Sequence, residues 1–341
     1  MSEVFGSAES SAHTSITGFP ALSPFPVLRG GGSMISRSDV VDMNLYLLPR
    51  LPVEFRAICA NILNFGWQSL SQGTRWHFKR DAQGHIVGAI LNDLRDHYTR
   101  CWCEVDILEE MMEEAIDWPG ADLVFFGCAP EWQTAHLEAI MARHRWNTRL
   151  GFEVYVIIAL KDYQRFEEAR REQTLGAHFK ADSLSYPSDS DFVNASWTYK
   201  NDSSHITIGE SVYSRPSVCI RDPERKGFTS KPETDLINDL VGWEITRSDY
   251  TLGSLKVLEA YRSQGLGKWL SAELTAKILS QRPASDLAQI AIYPHPQPLA
   301  YVDPSNIPSL KLHEALGYQT GGRLGWARYT REGANVPESA V

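Results

Sequence analysis

Apolar and polar positions along the 341 residues fall into two successive blocks that share one coarse order of elements. In the first block, Leu51 to Leu63 carries apolar residues at helical spacing. Thr74 to Lys79 and His85 to Leu91 alternate on either side of Asp81-Ala82-Gln83-Gly84, the signal of a β-hairpin. A strand over Arg100 to Val105 then leads into a helix over Ile107 to Ile116. A strand of the buried type (Ala121 to Phe126), a helix (Glu131 to Arg145) and a strand (Phe152 to Leu160) complete the block. Lys161 to Gln173 is strongly charged and predicts a helical connector.

The second block opens near Ser183 with two short helical patterns, Ser190 to Trp197 and Ser203 to Tyr213. Val218 to Ile220 and Leu240 to Thr246 predict antiparallel strands flanking a polar insertion, Arg221 to Asp239. A strand (Tyr250 to Leu258), a helix (Gly265 to Leu279), a strand (Leu299 to Val302), a helix (Ser309 to Leu316) and a last strand (Leu324 to Tyr329) follow. The recurrence predicts two tandem copies of one α+β fold, although the halves share no obvious sequence similarity. The expected divisions are a disordered segment over 1–37, a first domain over 38–160, a connector over 161–182, a second domain over 183–331 and a disordered tail over 332–341.

Composition narrows the function. A net charge of −9 argues against a nucleic-acid binder, whose affinity rests on clustered Lys and Arg. It leaves room for a small polyanion held by a helix N-terminus and a few local cations. No apolar run approaches the ~20 residues of a membrane helix, so no membrane partner is expected. The five cysteines form no Cys-x-x-Cys pair and no zinc spacing, which predicts reduced, buried thiols, no metal and a cytoplasmic protein. The N-terminal stretch is rich in Ser, Gly and Pro and lacks a secretory pattern. A mitochondrial address finds no support there, because Arg29 stands alone beside Glu3 and Glu9.

Chemistry concentrates in Thr251-Leu252-Gly253-Ser254-Leu255-Lys256-Val257-Leu258-Glu259-Ala260-Tyr261-Arg262-Ser263-Gln264-Gly265-Leu266-Gly267-Lys268. A strand pattern enters a turn carrying Arg-x-x-Gly-x-Gly and then a helix. Glycines let backbone N–H groups approach phosphate oxygens, and the first helical turn adds its dipole. Arg262 and Lys268 add formal charge. The spacing is not that of a dinucleotide-binding Gly-x-Gly-x-x-Gly. A second constellation lies downstream: Tyr301-Val302-Asp303-Pro304-Ser305-Asn306, then Ser309-Leu310-Lys311-Leu312-His313-Glu314-Ala315-Leu316-Gly317-Tyr318. Asn306 suits a helix N-cap and could offer its amide to a peptide-like ligand, and Gly317 suits the helix stop.

Together these two segments resemble motifs A and B of the GNAT acyltransferase superfamily. Phe192-Val193-Asn194 with Trp197, Gly242-Trp243-Glu244, Tyr261-Arg262 and Val302-Asp303 with Ser305-Asn306 are similar to the glycine N-acyltransferase family within it. The resemblance covers roughly Asp182 to Tyr329. It implies a mixed α/β (α+β) fold of tandem GNAT-like domains, each a mostly antiparallel twisted sheet splayed at the cofactor cleft with helices on both faces. It also implies an N-acyltransferase that moves an acyl group from acyl-CoA or acetyl-CoA to a small-molecule amine acceptor by direct attack. The chain would be a monomer or homodimer. The first half carries acidic Asp106-Ile107-Leu108-Glu109-Glu110 where the phosphate loop would be, so it reads as a non-catalytic copy.

The same resemblance assigns site residues. Arg262, Ser263, Gln264, Gly265, Leu266, Gly267 and Lys268 would hold the diphosphate. Lys256, Val257 and Leu258 would offer backbone groups to the pantetheine arm and the thioester, with Asn306 beside them. The family's basic Glu near the start of the motif A strand is Thr251 here. Asp249, two residues earlier, is one substitute, against a reading as a solvated strand end. Glu244 is the other, facing either solvent or the acceptor cleft. His313 stands where many relatives have an acidic Tyr, and is expected either to donate a proton near neutral pH or to be a half-exposed helix residue. Two alternatives remain: an acetyltransferase acting on another small amine or protein lysine, and a non-catalytic CoA-binding protein.

Overall fold

The computed structural model describes residues 33–66, 74–93, 98–119, 123–197, 204–225, 239–283 and 287–334. Most of the expected N-terminal segment, of the polar insertion and of the tail lies outside these residues. Ser33 pairs with Trp76, and a short helix α1 (Arg37–Asp42), absent from the sequence reading, is held by a capping box between Ser36 and Asp39. Helix α2 (Val53–Asn61) follows. The expected hairpin forms from β1 (Thr74–Arg80) and β2 (Ile86–Asp93), with the Asp81 carboxylate accepting from the amides of Gln83 and His85 across the turn.

Next come β3 (Tyr98–Trp102), α3 (Val105–Ala115), β4 (Leu123–Pro130), α4 (Glu131–Arg143) and the long β5 (Trp146–Leu160). The connector contains α5 (Tyr163–Arg171), N-capped by Asp162. The second half holds β6 (Lys180–Asp182), α6 (Ser188–Ala195), α7 (Ser204–Ser214), β7 (Ser217–Arg221), β8 (Leu240–Thr246) and β9 (Leu252–Val257). It ends with α8 (Leu266–Ser280), β10 (Leu299–Val302), α9 (Ile307–Ala315) and β11 (Tyr318–Arg331).

The described strands join one sheet in the order β1-β2-β3-β4-β11-β5-β10-β9-β8-β7-β6. The final strands of the two halves are exchanged: β11 runs between β4 and β5, and β5 runs between β11 and β10. The order is therefore mirrored about the β11–β5 pair. Each half contains one parallel pair, β3 with β4 and β9 with β10, and each pair shares a single register contact, Thr99 with Phe126 and Ala300 with Leu252. Parallel neighbours touching at one point diverge, and divergence opens a cleft.

Side-chain alternation sorts the core into two faces. Trp76, Ile157, Leu299 and Leu324 pack with the helices of the α1–α2 region, and Cys219, Trp243 and Ile245 pack with α6 and α7 on the same face. Ile158, Val218, Ala300 and Val302 pack with α5 and α8 on the opposite face, where Phe126 and Tyr329 pack with α3 and α4. The five cysteines are buried and free.

The halves differ where it matters for a ligand. In the second half, residues 258–265 separate β9 from α8. In the first, only Cys103 and Glu104 separate β3 from α3. There α3 lies so close to the sheet that a Cβ on Gly88 would stand 2.3 Å from the Met111 sulfur. The first half therefore has no loop of comparable length at the corresponding place.

Candidate active site

Between β9 and β10 lies a cleft of about 410 Å³. Its walls include Val193, Ser196 and Trp197 of the α6 region, Trp243 and Glu244 of β8, Leu252 to Lys256 of β9, Ala300 to Val302 of β10, and Asn306, Ser309 and His313 of the α9 region. Tyr155, a residue of the first half on the exchanged strand β5, also lines it. The register explains the opening. Trp243 pairs with Lys256 and Ile245 with Gly253, so two steps on β8 span three on β9 and the extra residue forms a bulge. Ser254, at the bulge, has φ of +54°. Bulges re-aim backbone and side chains next to working sites, and no sequence pattern announced this one.

Three buried polar atoms around this cleft have no hydrogen-bond partner among the described residues: Glu244 Oε2, Ser254 Oγ and His313 Nε2. A partnerless buried polar atom costs about 1–3 kcal/mol. Three lining one cavity mark a place where a ligand or water completes the bonding.

The turn after β9 has the form expected of an anion site. Ser263 (φ +62°) and Gly265 (φ +78°) both take left-handed conformations. Helix α8 starts without a side-chain cap, and its first backbone bond runs from the Trp269 amide to the Gly265 carbonyl. The amides of Leu266, Gly267 and Lys268 therefore precede the intrahelical ladder. Arg262, Ser263, Gln264 and Gly265 are exposed. The two glycines serve different ends. A Cβ on Gly265 meets open space, so only its φ favours glycine. On Gly267 a Cβ would come within 3.2 Å of Leu312 on α9, so this glycine lets the helices approach.

Two backbone groups assigned to the pantetheine arm are already engaged. The Leu258 amide donates to the Val241 carbonyl (2.9 Å), and the Val257 carbonyl accepts from Arg262 Nε (3.2 Å). The Lys256 ammonium donates to the Ser196 carbonyl (2.6 Å), tying β9 to the end of α6. Asn306 caps α9, its Oδ1 accepting from the Ser309 amide at 3.2 Å, and it also reaches the cleft wall.

The proton-transfer candidates divide. Asp249 does not face the cleft. The strand starts only at Leu252, Tyr250 breaks it with φ of +60°, and the Asp249 carboxylate is buried against Arg100 Nη2 at 3.0 Å. It also accepts from Tyr301 Oη (2.9 Å) and from the amide (3.2 Å) and hydroxyl (2.6 Å) of Thr251. Neither expectation for Asp249, a base or a solvated strand end, fits a carboxylate enclosed by Arg100, Tyr301 and Thr251. Glu244 is 1% exposed, lines the cleft, and is pushed up to about 8 by desolvation.

His313 also lines the cleft, and desolvation lowers it to about 4. Its Nδ1–H donates to the Ser309 carbonyl at 2.8 Å, which leaves the lone pair on Nε2. The ring is buried, not half-exposed, and it turns the lone pair of Nε2, partnerless among the described residues, toward the cleft.

Residues 227–327 match the family model described as FR47-like protein, a span that includes β9, the turn and α9. Comparison with curated proteins gives no significant match. Among solved structures, the chain is similar to a Drosophila protein determined by a structural genomics consortium, at TM-score 0.66 and 17% identity over 91% of this chain and 100% of that one. A tandem GNAT protein from the clavulanic acid biosynthesis pathway aligns at TM-score 0.49 and 13% identity, covering 89% of this chain and 97% of that one. A GCN5-related N-acetyltransferase from Kribbella flavida aligns at 0.45 and 12%, covering 84% and 98%. The chain shares its fold with the Drosophila protein.

Within that fold, the sequence reading assigned no role to Tyr155, to Tyr301 and Ser254 (both inside its two motif segments) or to Arg100. The first and last belong to the other half of the chain, and no local pattern connects them to the site. No helix of the described residues is long and apolar enough to cross a membrane.

Proposed function

We propose that this chain transfers an acyl group from acyl-CoA, acetyl-CoA being the simplest donor, to the amine of a small acceptor. The observation that carries this reading is one continuous path. The uncapped start of α8 opens onto the splayed β9–β10 pair, where the bulge and three partnerless polar atoms line the cleft. Diphosphate binds the amides of 266–268 with Arg262 and Lys268, and pantetheine lies along β9. Freed from the β8 register, the backbone at Ser254 and Leu255 supplies the N–H that meets the developing oxyanion.

The acceptor ammonium gives up one proton, its nitrogen attacks the thioester carbon, the C–S bond breaks, and the extra proton left on the nitrogen passes to the departing thiolate. Glu244, with a pKa of about 8, ionises in the range where an ammonium must be deprotonated, and so serves as the base. His313 takes part as a hydrogen-bond acceptor through Nε2. The resemblance to glycine N-acyltransferases supports an amino-acid acceptor, and an acetyltransferase of another amine or protein lysine is the neighbouring reading.

One observation favours a non-catalytic CoA binder. Thr251, which stands in place of the family's Glu, is fully buried and spends its hydroxyl on Asp249. Calorimetric titration with CoA tests binding, and no heat at millimolar CoA removes the proposal. A thiol-release screen crossing acetyl-, longer acyl- and benzoyl-CoA with amino acids and polyamines tests turnover. Binding without release in any pairing leaves the non-catalytic reading.

A further inference from the structure

The cleft of the second half has an equivalent in the first, and a side chain of the protein itself fills it. In both halves a parallel pair of strands meets at one contact and then diverges: Leu252 with Ala300, and Thr99 with Phe126. Glycines on the neighbouring strands mark matching positions beyond those contacts. A Cβ on Gly242 would meet Val257 and Leu270 of α8, and one on Gly88 would meet Cys103 and Met111 of α3. Cys103 is therefore the equivalent of Val257. It lies four residues past the contact rather than five, because β9 carries the bulge at Ser254 and the β2–β3 register runs without one. The helices that leave the second strand of each pair, α4 and α9, have Gln133 and Ser309 as their third residues. Ser309 lines the open cleft.

Gln133 is fully buried, and its Nε2 donates to the Cys103 carbonyl at 2.9 Å. The equivalent carbonyl in the second half, that of Val257, belongs to the stretch of β9 along which pantetheine lies. There it accepts from Arg262 Nε, and Arg262 is exposed and free to turn toward a diphosphate. Gln133 has no such exit, because α4 fixes its backbone and the core encloses its side chain. Its Oε1 finds no partner among the described residues. An apolar side chain would fill the space without stranding a buried oxygen, so packing alone does not account for a carboxamide.

We infer that Gln133 is a built-in substitute for an amide of the coenzyme arm. Its carboxamide occupies the first half's cleft, bonds the carbonyl that the arm would use, and confines coenzyme to the second half. This inference rests on the acyl-transfer reading. It also makes the first half a filled binding site rather than an eroded one, so shortening Gln133 uncovers a site for small neutral amides.

The full-length parent, Gln133→Ala and Gln133→Met test it. Alanine removes the atoms of an acetamide molecule, whereas methionine fills the space and donates no hydrogen bond. Melting temperatures are read without additive, with acetamide, and with N-ethylacetamide, which adds the length of an arm; CoA is titrated calorimetrically into the parent. The expected result is one CoA per parent chain. Either amide at saturation should raise the melting temperature of Gln133→Ala by about 2 °C or more, and that of the parent and Gln133→Met not at all. Should the alanine variant not fold, Gln133→Ser, with the residue that α9 carries, takes its place. Two CoA per parent chain, or amides that shift every protein alike or none, overturn the inference and leave the acyl-transfer proposal standing. Acetamide acting where N-ethylacetamide does not would make Gln133 ordinary packing, with the same consequence. A parent that binds no CoA removes both.

Discussion

Replacing Glu244 by Gln keeps the outline of the side chain and removes its ionisation. The carboxyl rises from an ordinary 4.5 to about 8 because it is buried and the charged form is desolvated. Below pH 4.5 it is neutral in both folded and unfolded chains and costs nothing. As pH rises toward 8, the unfolded chain releases this proton while the folded chain keeps it, so stability falls. At about 1.36 kcal/mol per pH unit the loss reaches at most about 5 kcal/mol by pH 8.

His313 works in the opposite direction. Its depression from 6.5 to about 4 gives stability that is complete above pH 6.5 and lost as pH falls toward 4. The two slopes oppose each other between 4.5 and 6.5. Above 6.5 only Glu244 remains, giving these two groups a net fall of about 2 kcal/mol by pH 8. Melting temperatures of parent and Glu244→Gln, measured from pH 4.5 to 8.5, should therefore coincide at the acid end and separate upward, the variant being more stable. Turnover should fall by about 10²-fold or more, and the rise of the parent's rate through pH 8 should vanish. Parallel melting profiles would refute the buried carboxyl, and an unchanged rate would refute the base.

Three further outcomes follow from named contacts. Gly265→Ala puts its Cβ in open space but strains a φ of +78°, so it should weaken CoA binding less than Gly265→Glu, which should weaken it at least tenfold by charge; equal affinities of parent and Gly265→Glu by calorimetry would reduce the turn to a connector. With His313 uncharged above pH 4, the rate should show no acid limb near 6.5; a limb there that disappears in His313→Gln would restore a titrating proton donor. Gly317→Ala should cost about 2–4 kcal/mol, since φ is +85° and the new Cβ would lie 2.4 Å from the Asp162 carbonyl oxygen; a chemical melt indistinguishable from the parent's would contradict that packing.

Much of this protein is decided by local pattern. The hairpin at Asp81–Gly84, the αL stop at Gly317, the Asn306 cap and the turn before α8 follow from residues a few positions apart, because hydrogen bonds and φ preferences act over that range. The helices and most strands follow from periodicity, which reports a buried face without saying what covers it. Helix α1 and strand β6 are too short to show a period.

Tertiary structure alone decided the rest. Nothing in the alternation of Trp146–Leu160 or Tyr318–Arg331 shows that the two strands change places, because an apolar stripe suits either position in the sheet equally. That exchange brings Tyr155 to the cleft and places Arg100 beside Asp249. The protonation of Glu244 and His313 is likewise unreadable from the chain. It depends on how completely water is excluded, and that depends on neighbours tens to hundreds of residues away.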